Sequence, residues 1–401
     1  MLVKTHTNQT LNLNFPYSGN PESLLALPAL IDPHVHFRVP GGEHKEDWLT
    51  GAQAAIAGGV TTVFDMPNTN PATTSTDLLD EKKEKIDKQL LEAGIPLHYG
   101  LFFGATADNL DQIRKVSPPA GGKIIGIKLF MGSSTGNLLV DTLETQEKIF
   151  QLAAELGLVV AVHAEDEAKI KMNKEKFKDN DSIKVHGLIR DRQVAAKAVA
   201  QAIEMAEFYK TKLYILHAST KEEIDLIRAA KATGITVFAE TTPHHLFLDS
   251  EAYAVLGSKA QMNPPLRTPE DQRALWAGIA DGTIDCVGTD HAPHTLEEKA
   301  KPYPYSPSGV PGIETSLPLL LNAYHKGKLT LENLVAVTST NARRIFGLPE
   351  TNDWVIIDLN LDKEVKNENL KTKCGWSPFA GWRLKGWPVA TVLDNHVTHI
   401  I

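Results

Sequence analysis

Residues 31–42 read IDPHVHFRVPGG: an apolar lead-in, then His34 and His36 one residue apart, then Arg38. Alternate residues of a strand project to the same side, so two imidazoles at this spacing can address one point. Neutral imidazole nitrogens are ligands for zinc and its neighbours. Taken alone, such a pair has a plain alternative in which a ring only satisfies a core hydrogen bond. Similar residues recur at the ends of other apolar runs. His163 follows VVAV, His217 follows LYIL, and Asp290 and His294 lie in IDCVGTDHAPH. Lys128 interrupts the apolar stretch IIGIKLFMG. A titratable group on an apolar strand is costly without a partner. Four histidines and an aspartate at matching strand ends are explained together by one metal centre. Lys128 keeps the ordinary reading of a snorkelling or salt-bridged lysine, since an ammonium would be repelled by nearby cations.

Elements must deliver these side chains. Between residues 27 and 294, eight apolar runs alternate with helical patterns: LPALIDPHVH, VTTVFDMPN, LHYGLFFG, IIGIKLFM, VVAVHAED, LYILHAST, TVFAETTPHH and IDCVGTDHAPH. Continuous apolar runs suit strands buried on both faces, as in a parallel sheet. Helices are expected between them, for example over 191–210 and 220–234. The second carries Ile224, Leu226, Ile227 and Ala230 near helical spacing and ends at Gly234, a natural C-cap. Eight such units predict an α/β chain folded as a (β/α)8 TIM barrel, with the strand C-termini on one face. A doubly wound sheet is disfavoured because no GxGxxG or GxxxxGKS/T follows an early strand. From about 350 to 401 the pattern changes to short strands (WVIIDL, PVATVL, HVTHII). With residues 1–26 these would form a small β-subdomain beside a barrel spanning 27–349. The N-terminal share is thin, so a reduced subdomain is expected.

The 401 residues are 42% hydrophobic and 22% charged, with net charge −8 and no basic block. That argues against a nucleic-acid or membrane surface. No apolar run approaches the roughly 20 residues that cross a bilayer, and the N-terminus lacks a signal-peptide core. Cys286 and Cys374 make neither a disulfide framework nor a CxxC site. A cytoplasmic protein is the expectation.

In family order from about residue 27 to the C-terminal end, DPHVHFRVPGGEHKEDW, FDMPNTNP, IKLFMGSSTGN, AVHAED, LHAST, TPHHL, MNPPLR, GTDHAPH and CGWSPFAGW resemble the dihydroorotases of the amidohydrolase superfamily. The resemblance implies a distorted (β/α)8 barrel with a small β-subdomain built from the two chain termini, and a binuclear zinc centre. It places His34, His36 and Asp290 on one Zn2+ and His163 and His217 on the other. Lys128, carboxylated by CO2, would bridge both as a carbamate. Many bacterial relatives have an aspartate there; IKLFMGSSTGN resembles the lysine-using branch. The implied reaction is the reversible interconversion of N-carbamoyl-L-aspartate and L-dihydroorotate in pyrimidine (UMP) synthesis. A hydroxide shared by the metals would attack the ring amide. Asp290 would relay its proton to the leaving nitrogen. All six ligand positions are filled, which argues against a non-catalytic relative.

Dihydroorotate carries a carboxylate outside its ring, and a guanidinium fork matches a carboxylate. Arg38 is the candidate partner, with Asn68 donating beside it. The family pattern adds Asn263, His294 and Gly309, the last through close backbone approach. Ser308 departs from the phenylalanine of many relatives. Each has a structural alternative: an Arg38 ion pair with Glu43 or Glu46, turn roles for Asn68 and Asn263, a supporting role for His294. His244 and His245 are expected to be structural. Segments 132–137 and 294–312 are candidate loops over the site. A hydantoinase or allantoinase would share the metals but offer Arg38 no carboxylate. A non-catalytic dihydroorotase-like subunit supporting aspartate transcarbamoylase would need broken metal positions. A homodimer and an association with aspartate transcarbamoylase stay open as partner arrangements.

Overall fold

A computed structural model describes residues 1–116, 123–134 and 136–400. Eight parallel strands pair in chain order: Leu30–Val35, Val60–Asp65, His98–Gly104, Ile124–Phe130, Val159–His163, Lys212–Ile215, Val237–Thr241 and Cys286–Val287. The ring closes through a parallel bridge between Val35 and His291 and the His36 N–H donating to His291 O at 2.9 Å. The eighth strand has only two residues, so the barrel is distorted at this seam. Every residue of the first, second and fifth strands is buried, which is why those segments read as unbroken apolar runs. A separate apolar cluster joins Ile31, Phe64, Phe102 and Tyr214 to Phe346 of a later helix, Asn341–Phe346.

The crossover helices start and stop where their ends dictate. Arg192–Tyr209 is capped by the Asp191 carboxylate, which accepts from Val194 N–H. Lys221–Ala232 opens with a capping box of Thr220 and Glu223, and Gly234 just beyond it has φ +83°. Among the described residues no helix is long and apolar enough to cross a membrane.

The first apolar run serves two sheets. Leu24–Pro28 pairs outside the barrel, and the chain enters the barrel only after Ala29. That outer sheet has six strands in the order His396–His399, Arg383–Leu393, Trp354–Glu364, Leu24–Pro28, Leu2–Thr5, Thr10–Asn12. Three strands come from each end of the chain, so the N-terminal contribution is larger than its length suggests.

Candidate metal centre

The histidines of the first strand meet Asp290 from the loop after the eighth. Asp290 Oδ1 lies 3.3 Å from His34 Nε2 and 3.0 Å from His36 Nε2. Their ligand atoms all fall within 4.8 Å of one another, the spacing of a shared cation. Across the barrel mouth, His163 Nδ1 and His217 Nε2 face each other at 2.9 Å. Lys128, on the fourth strand beside that of His163, is 1% exposed. Among the described residues no hydrogen bond or ion pair holds its Nζ, which sits 4.5 Å from the centre of the Phe130 ring. All six line one cavity together with Arg38, Asn68, Asn263 and Gly309.

The far sides of the rings are fixed. His34 Nδ1 is 2.6 Å from Glu240, and His36 Nδ1 is 2.8 Å from Asn68 Oδ1. His163 Nε2 is 2.9 Å from Glu165, itself gripped by Arg190. Acceptors at these nitrogens put the proton on the outer side and aim the opposite lone pair into the cavity. Burial pushes His36 down to about 4 and holds His163 and His217 below the usual histidine range, keeping the rings in the ligating neutral form. Burial would raise the Asp290 carboxyl, but His34 and His36 outweigh it and hold it well below the usual range. Burial pushes the Lys128 ammonium down to about 7 against the attraction of Asp290 and Glu240. The donor set of neutral imidazoles, a carboxylate and a low-pKa amine fits divalent zinc-type cations. Among the described residues the buried His217 Nδ1 has no hydrogen-bond partner, so the ring is held through its other nitrogen.

Arg38, His217 and Asp290 all adopt the left-handed backbone region, with φ +63°, +40° and +46°. Such geometry in non-glycine residues costs on the order of 1–3 kcal/mol each and clusters at functional sites.

On the substrate side, the Arg38 guanidinium is buried. Its Nε donates to Pro293 O at 3.1 Å and its Nη2 lies 3.2 Å from His294 Nε2. The Lys45 ammonium, 3.1 Å from His294 Nδ1, can only donate, so the His294 proton sits on Nε2 and is given to Ser308 O at 3.1 Å. Arg38 Nη2 therefore faces an N–H rather than a lone pair. Among the described residues no carboxylate forms an ion pair with Arg38. The alternatives for it fall away: Glu43 accepts from Gly41 N–H, and Glu46 is held by Thr50, Thr372 and His291. Burial lowers Arg38 to about 10, so it stays cationic at neutral pH.

Other expectations are sharpened. Asn68 spends its amide oxygen on His36, so its part is to orient a ring as well as to line the cavity. Asn263 Oδ1 accepts from Ser308 Oγ at 3.2 Å. His294 stands behind Arg38 rather than on the cavity wall, neutral through burial and the charges of Arg38, Lys45 and Lys299. Gly309 has φ +137°, and a Cβ there would lie 2.5 Å from Ala292 O. Its N–H is taken by Gln261 O at 2.9 Å and is not free to donate into the cavity that Gly309 lines. His245 bonds Thr242 and Pro264 O, a structural role. Thr135 of the 132–137 stretch lies outside the described residues. Sequence reading missed Glu240, Glu165 and Arg190. The first two carried the signal that singled out Lys128: a charge on or just after an apolar strand.

A family model described as "Amidohydrolase family" matches residues 25–352. The chain is 40% identical over 364 residues to the dihydroorotase of Halobacterium salinarum, covering 88% of this chain and 82% of that one. It is 38% identical over 400 residues to the multifunctional protein CAD of Squalus acanthias, covering 99% of this chain but 16% of that protein. Among solved structures, the L-hydantoinase (dihydropyrimidinase) from Arthrobacter aurescens superposes with a TM-score of 0.88 at 27% identity, over 94% of this chain and 85% of that one. With the strand-end histidines, Lys128 and Asp290 gathered around one cavity and relatives at this level over most of its length, the chain belongs to the amidohydrolase family and, within it, to the dihydroorotases.

Proposed function

We propose that this chain is a metal-dependent dihydroorotase that interconverts N-carbamoyl-L-aspartate and L-dihydroorotate in pyrimidine synthesis. The carrying observation is Arg38: a buried guanidinium on the wall of the metal cavity, with a donor facing no acceptor. A carboxylate on the substrate ring supplies the missing partner. A neutral hydantoin would not, so the hydantoinase-like structures are relatives in fold and metal chemistry with a different ring grip.

We assign one zinc ion to His34, His36 and Asp290 and a second to His163 and His217; Lys128, as its carbamate, would supply a further anionic ligand to the centre. Bound there, zinc would supply a water with its pKa lowered to about 7 and a Lewis acid for the amide carbonyl. The rest is done by the chain. A Lys128 held near 7 offers a neutral amine at neutral pH, whose nitrogen adds to the carbon of CO2 and loses a proton to give the carbamate. Asp290 accepts a proton from the attacking water and returns it to the ring nitrogen as the C–N bond breaks. Arg38 anchors the ring carboxylate, Asn68, Asn263 and Gly309 shape that end of the cavity, and His294 backs Arg38 from behind the wall. Longer relatives named multifunctional proteins support an association with aspartate transcarbamoylase; a homodimer is the other partner reading.

Arg38→Ala tests the assignment. Charge-assisted hydrogen bonds are worth about 1.5–3 kcal/mol each, so kcat/KM for dihydroorotate falls by roughly tenfold to hundredfold or more while bound zinc stays constant. Near-normal turnover by the variant would remove the substrate assignment.

A further inference from the structure

The C-terminal stretch CGWSPFAGW has no part in the chemistry described so far, yet it reaches the substrate end of the site. Trp376 is 1% exposed, and its indole Nε1–H donates to His294 O at 2.8 Å. The preceding carbonyl, Pro293 O, is the one that receives Arg38 Nε. Two residues thus hold two successive carbonyls, one from the Arg38 side and one from the C-terminal side. The two residues just before that stretch grip the chain that follows Arg38. The Thr372 hydroxyl donates to Glu46, and Lys373 Nζ donates to Glu43 O at 2.8 Å and pairs with Asp47. Glu46 in turn lies 3.3 Å from His291, the neighbour of Asp290. The chain that follows Arg38 (residues 43–47) and the backbone that receives its Nε (residues 293–294) are therefore tied to one short segment that, among the described residues, makes no hydrogen bond to a proposed metal position.

We propose that Thr372–Trp376 is a positioning strap for Arg38, with Trp376 the residue that sets how tightly the site holds a carboxylate-bearing ring. This rests on the reading that Arg38 binds the substrate carboxylate. Trp376 is a positioning residue, acting on the Pro293–His294 backbone and through it on the guanidinium. Its removal loosens ground-state grip and leaves the reacting atoms and their ligands in place.

The test is steady-state kinetics of the zinc-loaded full chain with dihydroorotate, on Trp376→Phe, Thr372→Val and Arg38→Ala, with zinc content measured in parallel. Trp376→Phe keeps a buried aromatic ring but removes the N–H together with part of the indole; Thr372→Val, close to isosteric, removes only the hydroxyl that bonds Glu46 and carries the test if the first variant does not fold. The expected result is KM raised about tenfold in Trp376→Phe, the scale of one buried hydrogen bond, with kcat within about twofold and zinc unchanged. Thr372→Val shifts KM the same way. If Arg38→Ala raises KM but neither strap variant does, the strap is refuted and the Arg38 reading stands. A fall in kcat or zinc content with KM unchanged marks a general structural role and also overturns the proposal. If Arg38→Ala leaves KM unmoved, the carboxylate reading fails and the strap proposal with it.

Discussion

Glu240 is the strongest unseen support of the metal centre. Fully buried, it accepts from His34 Nδ1 at 2.6 Å, from the His217 backbone N–H at 3.3 Å and from the Tyr214 hydroxyl at 3.0 Å. Replacing it with alanine would strand three donors at about 1–3 kcal/mol each. The sum of roughly 3–9 kcal/mol rivals the whole stability of a domain, so that variant would report unfolding. Glu240→Gln is the informative change. Its amide oxygen can stay on His34 while its NH2 turns to the Tyr214 oxygen, which rotates to accept. What is lost is the negative charge that makes His34 a better ligand. Partners of this kind are worth about 10–100-fold in metal affinity, roughly 1.4–2.7 kcal/mol at 1.36 kcal/mol per decade. Equilibrium dialysis against a graded zinc buffer reads the effect directly, with thermal melting as the control for fold. The weaker zinc dissociation constant should rise by about 10–100-fold and activity should recover at excess zinc. An unchanged zinc affinity in a folded Glu240→Gln would refute the role given to this carboxylate.

Two further outcomes follow from the same structure. Metal-free protein in CO2-free buffer should regain activity with zinc faster when bicarbonate is added. Because burial lowers Lys128 to about 7, the reactive neutral amine grows as pH rises, so that rate climbs through about pH 7; a bicarbonate-independent, pH-flat recovery would exclude the carbamate. At the start of the third strand, the Asp353 carboxylate, 3.2 Å from His98 Nε2, accepts from the ring and raises the half-buried His98. A raised histidine adds stability that is full below its unfolded value of about 6.5 and is lost as pH climbs through the folded one. The melting-temperature gap between wild type and His98→Asn should therefore be wider near pH 6 than near pH 8.5; an equal gap would contradict the ion pair.

Much of the barrel was legible because burial on both faces leaves a strand no polar positions to spend. Lys128, His163 and His217 stood out against that background, and their places at or near strand ends made the centre readable. Less legible was the seam at Ala29, where one apolar run leaves one sheet and enters another with no change of composition. Cys286–Val287 is too short to be bounded by pattern alone. The supporting row was hidden for another reason. Which atom Asn68 or His294 spends is decided by its hydrogen-bond network, and that is a property of the folded neighbourhood. Arg190 comes from a crossover segment far in sequence from Glu165, so nothing local announced it.

The most direct measurement is the ratio of kcat/KM for dihydroorotate to that for dihydrouracil, the same ring without the carboxylate, on one zinc-loaded preparation. A buried Arg38 on the wall of a metal cavity predicts that dihydroorotate is preferred by about a hundredfold or more, the scale of a charge-assisted carboxylate pair. Equal turnover of the two rings, or a preference for the neutral one, would contradict it.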